Sequence, residues 1–177
     1  MDSVVVFGGR TYFLFLALLV VARGFDFLST WIATPNLLLE ANPIARKLGW
    51  RGGLALNAGT CLVFAMWPVP AMVIMTASVL VAARNFQSAW LMRGLGEAAY
   101  RAWLAERVSE SRRGLFLFCL GAQGVLLSGV GVALIRFSGW QPVPFAIGTG
   151  FVAYAGAVVI FTLLAVWRVW RAPGPDQ

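Results

Sequence analysis

The chain has no histidine and a single lysine, Lys47. Without imidazole there is no histidine-ligated haem, no histidine zinc site and no Ser-His-Asp triad. Lys47 stands beside Arg46 in a polar stretch, so no lysine lies within an apolar segment, where a retinal Schiff base would need it. The only cysteines, Cys61 and Cys119, form no C-x-x-C pair. Each lies in an apolar run and reads as a small buried hydrophobe; a disulfide framework needs more cysteines in a wetter setting. Gly8-Gly9 and Gly52-Gly53 do not continue into G-K-[ST], so neither is a phosphate loop. Charge is scarce as well: 12% of the 177 residues are charged, against about one quarter in soluble domains.

Apolar residues fill the space that charge leaves, at 60% of the sequence, with a mean hydropathy of +0.79. Since about 20 apolar residues span a bilayer core, this composition defines an all-α, polytopic integral membrane bundle, one helical membrane domain over residues 1–177. Five transmembrane spans are expected, at about residues 11–34, 53–67, 71–92, 115–137 and 145–167, with Pro68 and Pro70 forming a tight turn between the second and third. The first stretch is read as a retained span. Its leading region carries only Arg10 against Asp2, and no A-x-A-like site follows. Residues 173–177 read as a disordered tail.

The net charge of +7 comes almost entirely from arginine. Arg46, Lys47, Arg51, Arg93, Arg101, Arg107, Arg112, Arg113, Arg168 and Arg171 fall on one side of the proposed bilayer, and only Arg10 and Arg136 on the other. Cytoplasmic loops carry such an excess, which places the chain in the plasma (inner) membrane with its N-terminus outside and its C-terminus in the cytoplasm. Trp50, Trp90, Trp167 and Trp170 fall at inner boundaries and Trp67 and Trp140 at outer ones, as interfacial belts require. No basic-aromatic module for nucleic acid is present.

Between the third and fourth spans, Tyr100, Leu104 and Val108 repeat every four residues, with Trp103 beside them. Glu97 and Arg101 offer an i,i+4 pair. This pattern predicts an interfacial amphipathic helix at about residues 96–112 on the inner membrane surface. The fourth span has small residues at Gly121, Gly124, Ser128 and Gly131 on one face; the fifth offers Thr149, Ala153 and Gly156 or Ala157. Small faces let helix backbones approach, so these two spans are expected to form an antiparallel pair. Gln123 is a candidate to reach a polar layer or a backbone carbonyl.

That polar layer is the informative feature. After the apolar run of residues 13–22 come Arg23, Asp26 and Thr30, at spacings that share one helix face. A charge at this depth costs about 2.5–3.5 kcal/mol on insertion scales, faces the protein interior and often marks function. Asp26 lies roughly 12 Å from the inner end of its span. Arg84 and Asn85 of the third span lie at similar depth, and Asn57 of the second somewhat shallower. The connecting loop holds Glu40, Asn42 and Pro43; Pro43 can start a helix with Asn42 as its N-cap, and Glu40 then precedes a helix N-terminus, where negative charge is favoured. The mostly apolar loop is expected to cover the site.

Arg23-x-x-Asp26-x-x-x-Thr30, then Glu40-x-Asn42-Pro43, then Arg84-Asn85 resemble a group of small bacterial and archaeal membrane proteins classed as a domain of unknown function, the DUF5658 type. The resemblance covers about residues 15–95. It implies a helical membrane fold and no established activity, substrate or catalytic residue.

Three functional readings follow. The first is a structural or accessory membrane protein, with Asp26 paired to Arg23 or Arg84, Glu40 to another of them, and asparagines completing the network. The second is a binding or transport site for a small ion, anion or lipid headgroup, in which Arg23 and Arg84 clamp an anion. The third is a metal-dependent lipid-phosphate enzyme, with Asp26, Glu40 and Asn42 as oxygen ligands for magnesium or calcium. No catalytic motif matches the spacing, and no cofactor or resident metal is implied. The expected partners are the lipid bilayer, other membrane proteins and a lipid headgroup.

Overall fold

A computed structural model describes residues 4–40 and 42–171, with side chains as far as Trp167. Asp2 and the tail 173–177 lie outside the described residues, as do the side chains of Arg168, Trp170 and Arg171. Six helices follow in order: α1 (Arg10–Ala33), α2 (Pro43–Phe64), α3 (Pro68–Leu95), α4 (Glu97–Glu110), α5 (Arg113–Phe137) and α6 (Pro142–Arg171). Among the described residues there is no strand. Helices α1, α3, α5 and α6 are long and apolar enough to cross a membrane.

The prolines sit differently from the expected turn. Pro68 and Pro70 belong to the first turn of α3, and Pro142 and Pro144 to that of α6. In a first turn the missing N–H has no helical acceptor to lose, and the fixed φ already suits a helix. Helix α2 also begins earlier than the span expected at residue 53. Asn42 caps it by accepting from the backbone N–H groups of Ile44 and Ala45. The short helix started by Pro43 then runs into the longer segment across a bend at Gly49, whose φ of 64° lies in the left-handed region that favours glycine.

Helix α1 packs most extensively on α3, α3 also on α6, and α6 on α5. Lipid tails are as apolar as leucine, so little hydrophobic gain holds such helices together and close fit must do so. The α1–α3 seam shows how the sequence provides it. The buried residues are Tyr12, Leu19, Ala22, Ser29 and Ala33 on α1, and Ala71, Ser78, Ala82 and Ala89 on α3. Both sets follow sevenfold spacings, and most members are small. This is the period that keeps one seam facing its partner along two helices. Large apolar side chains such as Phe13, Val20, Phe118, Leu126 and Phe137 are exposed on the outside. Cys61 is buried, as expected; Cys119 is exposed on the outer face of α5, because burial there goes to Leu120 and Gly131.

The α5–α6 pair forms with glycines at its crossing, in a register different from the expected one. A methyl group added to Gly131 would lie 2.6 Å from the Gly148 carbonyl oxygen, and one on Gly148 would lie 2.5 Å from the Gly131 carbonyl oxygen. One on Gly150 would strike Thr76 of α3 at 2.6 Å. The face expected on α6 is rotated away: Ala153 and Gly156 are exposed, and Thr149 bonds back to the Phe145 carbonyl. Gly124 meets Val159, whereas Gly121 has open space around it. Gln123 is exposed and takes no part in the polar layer.

Helix α4 packs against α3 and α6 through Tyr100 and Val108, which are buried, while Trp103 and Leu104 face outward. Helix α2 is the loosest member, with far fewer approaches to α1 and α3 than these make to each other. Gly148→Ala and Gly131→Ala should each lower the thermal stability of the detergent-solubilised protein by about 1–3 kcal/mol, the usual cost of overpacking. Gly121→Ala should leave it unchanged; equal melting temperatures for all three variants would contradict the crossing.

Candidate functional site: a polar layer joining three helices

Arg23 is the centre of the layer. Its Nε donates to Asn57 Oδ1 of α2 at 2.6 Å, and Nη2 donates to the same oxygen. Nη1 donates to Asp26 Oδ2 on its own helix at 2.8 Å and to Ser78 Oγ on α3 at 3.2 Å. One guanidinium thus engages three helices. Asp26 is bonded to Arg23 as an i,i+3 pair, and the two charges neutralise each other. Asn57 is oriented by donating Nδ2 to the Gly53 carbonyl at 2.8 Å.

One turn further along, Asn85 Nδ2 donates to Thr30 Oγ1 at 3.2 Å and to Ser29 Oγ at 3.3 Å. Ser29 in turn donates to the Asp26 carbonyl at 2.8 Å. Arg23, Asp26, Thr30, Asn57 and Asn85 therefore lie in a connected polar region, together with Ser29 and Ser78. The two serines are almost fully buried. Ser78 stands seven residues before Asn85, so its shared face was available as a sequence signal.

Arg84 does not belong to this cluster. Its Nη2 reaches Thr162 Oγ1 of α6 at 3.5 Å, and among the described residues no ion pair joins it to Asp26 or Glu40. The reason is azimuth. Consecutive helix residues point about 100° apart, so Asn85 facing α1 turns Arg84 toward α6 even though both lie at one depth. Burial pushes the Tyr100 phenol above its ordinary pKa, and the nearby Arg84 charge offsets part of that rise. Glu40 makes no hydrogen bond to the cluster among the described residues, although it lies near enough for its charge to act on Asp26. Its Oε1 accepts from the Asn42 backbone N–H at 2.8 Å, while Asn42 Oδ1 caps α2.

The α1–α2 loop is held from elsewhere, by Glu97 at the start of α4. Glu97 Oε2 accepts from Thr34 Oγ1 at 2.8 Å and from the Leu38 N–H at 2.9 Å; Oε1 accepts from the Asn36 N–H at 2.7 Å and from Asn36 Nδ2 at 3.1 Å. Thr34 Oγ1 also accepts from the Leu39 N–H, and Trp50 Nε1 donates to the Pro35 carbonyl. The loop's bonds thus run to the α3–α4 corner and to Trp50. Leu37 adopts a φ of 56°, uncommon for a residue with a side chain; the neighbouring amides bonded to one carboxylate hold it there. Glu97 was expected to pair with Arg101, but among the described residues no ion pair joins them. The available sequence signal was an apolar loop whose amides needed an acceptor. Burial is the largest influence on the Glu97 carboxyl and pushes its pKa up. The four hydrogen bonds together outweigh it, and the net position is below the ordinary 4.5.

Beside Arg23 and Asn57, the loose fit of α2 leaves a cleft of about 650 Å³ between α1 and α2. Phe27, Trp31, Trp50 and Leu54 line it as well, and Phe27 and Trp50 meet edge to face at 5.1 Å. Among the described residues no group of three acidic or cysteine side chains could together hold a metal ion. No family model matches the chain, and neither a curated protein nor a solved structure is significantly similar to it.

Two outcomes test this geometry. In double-variant cycles read by thermal stability, Arg23→Gln and Asn57→Ala should couple by about 0.5–3 kcal/mol, whereas Asp26→Asn and Arg84→Gln should add within about 0.5 kcal/mol. Coupling in the second pair would contradict the separation of Arg84. For Glu97, the folded carboxyl binds its proton more weakly than the unfolded one. Its stabilising contribution is therefore present above pH 4.5 and is lost as pH falls through the lowered folded value. The protection factors of the Asn36 and Leu38 amides, measured against their intrinsic exchange rates at each pH, should be high at neutral pH and fall over that acidic window. In Glu97→Gln protection should be low throughout.

Proposed function

We propose that this chain is a multi-pass protein of the plasma membrane with a structural or accessory role, and that its polar layer is a lock between helices. In this reading α1, a short span at about residues 53–67, α3, α5 and α6 are five spans, and α4 lies along the inner surface. The N-terminus is outside and the C-terminus in the cytoplasm. The positive residues support this orientation through their ten-to-two asymmetry. The DUF5658-type resemblance fits the same reading.

The observation that carries the proposal is the use made of Arg23. Its donors go to Asp26, Asn57 and Ser78, so a costly charge is answered from within the protein by three helices. Helix α2 has few approaches to the bundle, and the Arg23–Asn57 contact is its side-chain tie at mid-helix, beside the Tyr12–Leu62 carbonyl bond at its far end. An anion clamp draws less support, because it needs Arg23 and Arg84 together and Arg84 faces Thr162. A magnesium-dependent site would need Asp26, Glu40 and Asn42 to converge, and Glu40 and Asn42 are engaged at the start of α2.

Proteoliposomes containing the full chain should show the same flux as empty vesicles for a panel of inorganic anions and cations. Arg23→Gln should lower thermal stability without altering that flux. Saturable uptake by the wild-type protein that Arg23→Gln abolishes would overturn the structural reading.

A further inference from the structure

The polar layer is nearly, but not completely, satisfied. A guanidinium has five N–H groups and a carboxamide nitrogen two. On Arg23, Nε donates to Asn57, the Nη1 hydrogens to Asp26 and Ser78, and one Nη2 hydrogen to Asn57. On Asn57, one Nδ2 hydrogen goes to Gly53. One hydrogen on Arg23 Nη2 and one on Asn57 Nδ2 remain without a partner among the described residues. Both residues line the α1–α2 cleft. Its other walls are apolar and aromatic, and its volume of about 650 Å³ lies in the range of small-molecule sites. Apolar surroundings offer such an N–H no acceptor of their own.

We propose that the α1–α2 cleft is a binding site for a neutral, lipid-soluble carbonyl compound. Its carbonyl oxygen accepts from Arg23 Nη2 and Asn57 Nδ2, and its apolar body lies along Phe27, Trp31 and Leu54. These two donors line the cleft whereas the Asp26 carboxylate does not, so the cleft selects a ligand that accepts hydrogen bonds. Neutrality follows from the Arg23–Asp26 pair, which leaves no net charge for an anion to balance. The aromatic rings suit a planar head group. A quinone head and a glycerolipid ester share this chemistry, and the two are separable by competition.

The test uses the full-length protein in dodecyl maltoside, which has no carbonyl group, with 4-decylbenzophenone as a photoreactive ketone probe. Adducts mapped by peptide mass spectrometry should concentrate on residues 20–31 and 50–61. A decyl-substituted benzoquinone or didecanoylglycerol should reduce them, and the stronger competitor identifies the source of the carbonyl. Decylbenzene, which lacks the acceptor, should compete about tenfold less well, the effect of one or two hydrogen bonds. Leu54→Trp should fill the cleft and abolish labelling while keeping the wild-type melting temperature, and Leu126→Trp on the exposed face of α5 should not affect labelling. Should Leu54→Trp fold poorly, Ala58→Phe fills the same space. The proposal is overturned by adducts spread over the outer faces of α5 and α6, by decylbenzene competing as well as the carbonyl compounds, or by cross-links that join two copies across the cleft.

Discussion

A guanidinium within an apolar helix must be answered by the protein, and Arg23 shows what that requirement does to a small bundle. Its hydrogen-bond partners come from its own and neighbouring helices at fixed distances. Asn57 and Ser78 are drawn to one point, and their helices are drawn with them. Asp26 keeps the ensemble neutral. The second cluster, Ser29, Thr30 and Asn85, extends the same seam by one turn with uncharged groups.

Two kinds of helix contact result. Along α1–α3, and again where Gly131 meets Gly148, small residues bring backbones close and dispersion contacts accumulate. Helix α2 lacks such a stripe facing its neighbours. Leu54, Leu56, Leu62 and Val63 are all exposed, and Cys61 is its one buried residue. Helix α2 is tied to its neighbours at separate points, by Trp50 to the Pro35 carbonyl, by Asn57 to Arg23 and by the Leu62 carbonyl to Tyr12, and between the first two its thin packing leaves a gap. The cleft is thus a by-product of how α2 is attached.

The helical class, the four long apolar helices and the cap at Asn42 were legible in the sequence, because hydropathy, length and capping are local properties. So was the grouping of Arg23, Asp26 and Thr30, which one helix's spacing determines. Depth along a span was also readable, but rotation about its axis was not, and this separates Arg84 from Asn85. The same limitation misplaced the α6 contact face, where Gly148 rather than Thr149 meets α5. Glu97 was overlooked for another reason. Its partners are backbone amides of a distant loop, and an amide has no letter in the sequence.

The Glu97 bonds have a bearing on assembly order. Thr34 and its acceptor are 63 residues apart, with α2 and α3 between them. During synthesis from the N-terminus, the loop that closes α1 against α2 emerges well before the carboxylate that holds it. Until α4 arrives, the amides of Asn36 and Leu38 must be hydrated or weakly paired, and Leu37 has little reason to keep its unfavourable backbone angle. The first hairpin therefore stays adjustable while α3 inserts and takes its place against α1. It is fixed in its final geometry only when the chain has passed α3, so the loop is locked after the α1–α3 seam can already form.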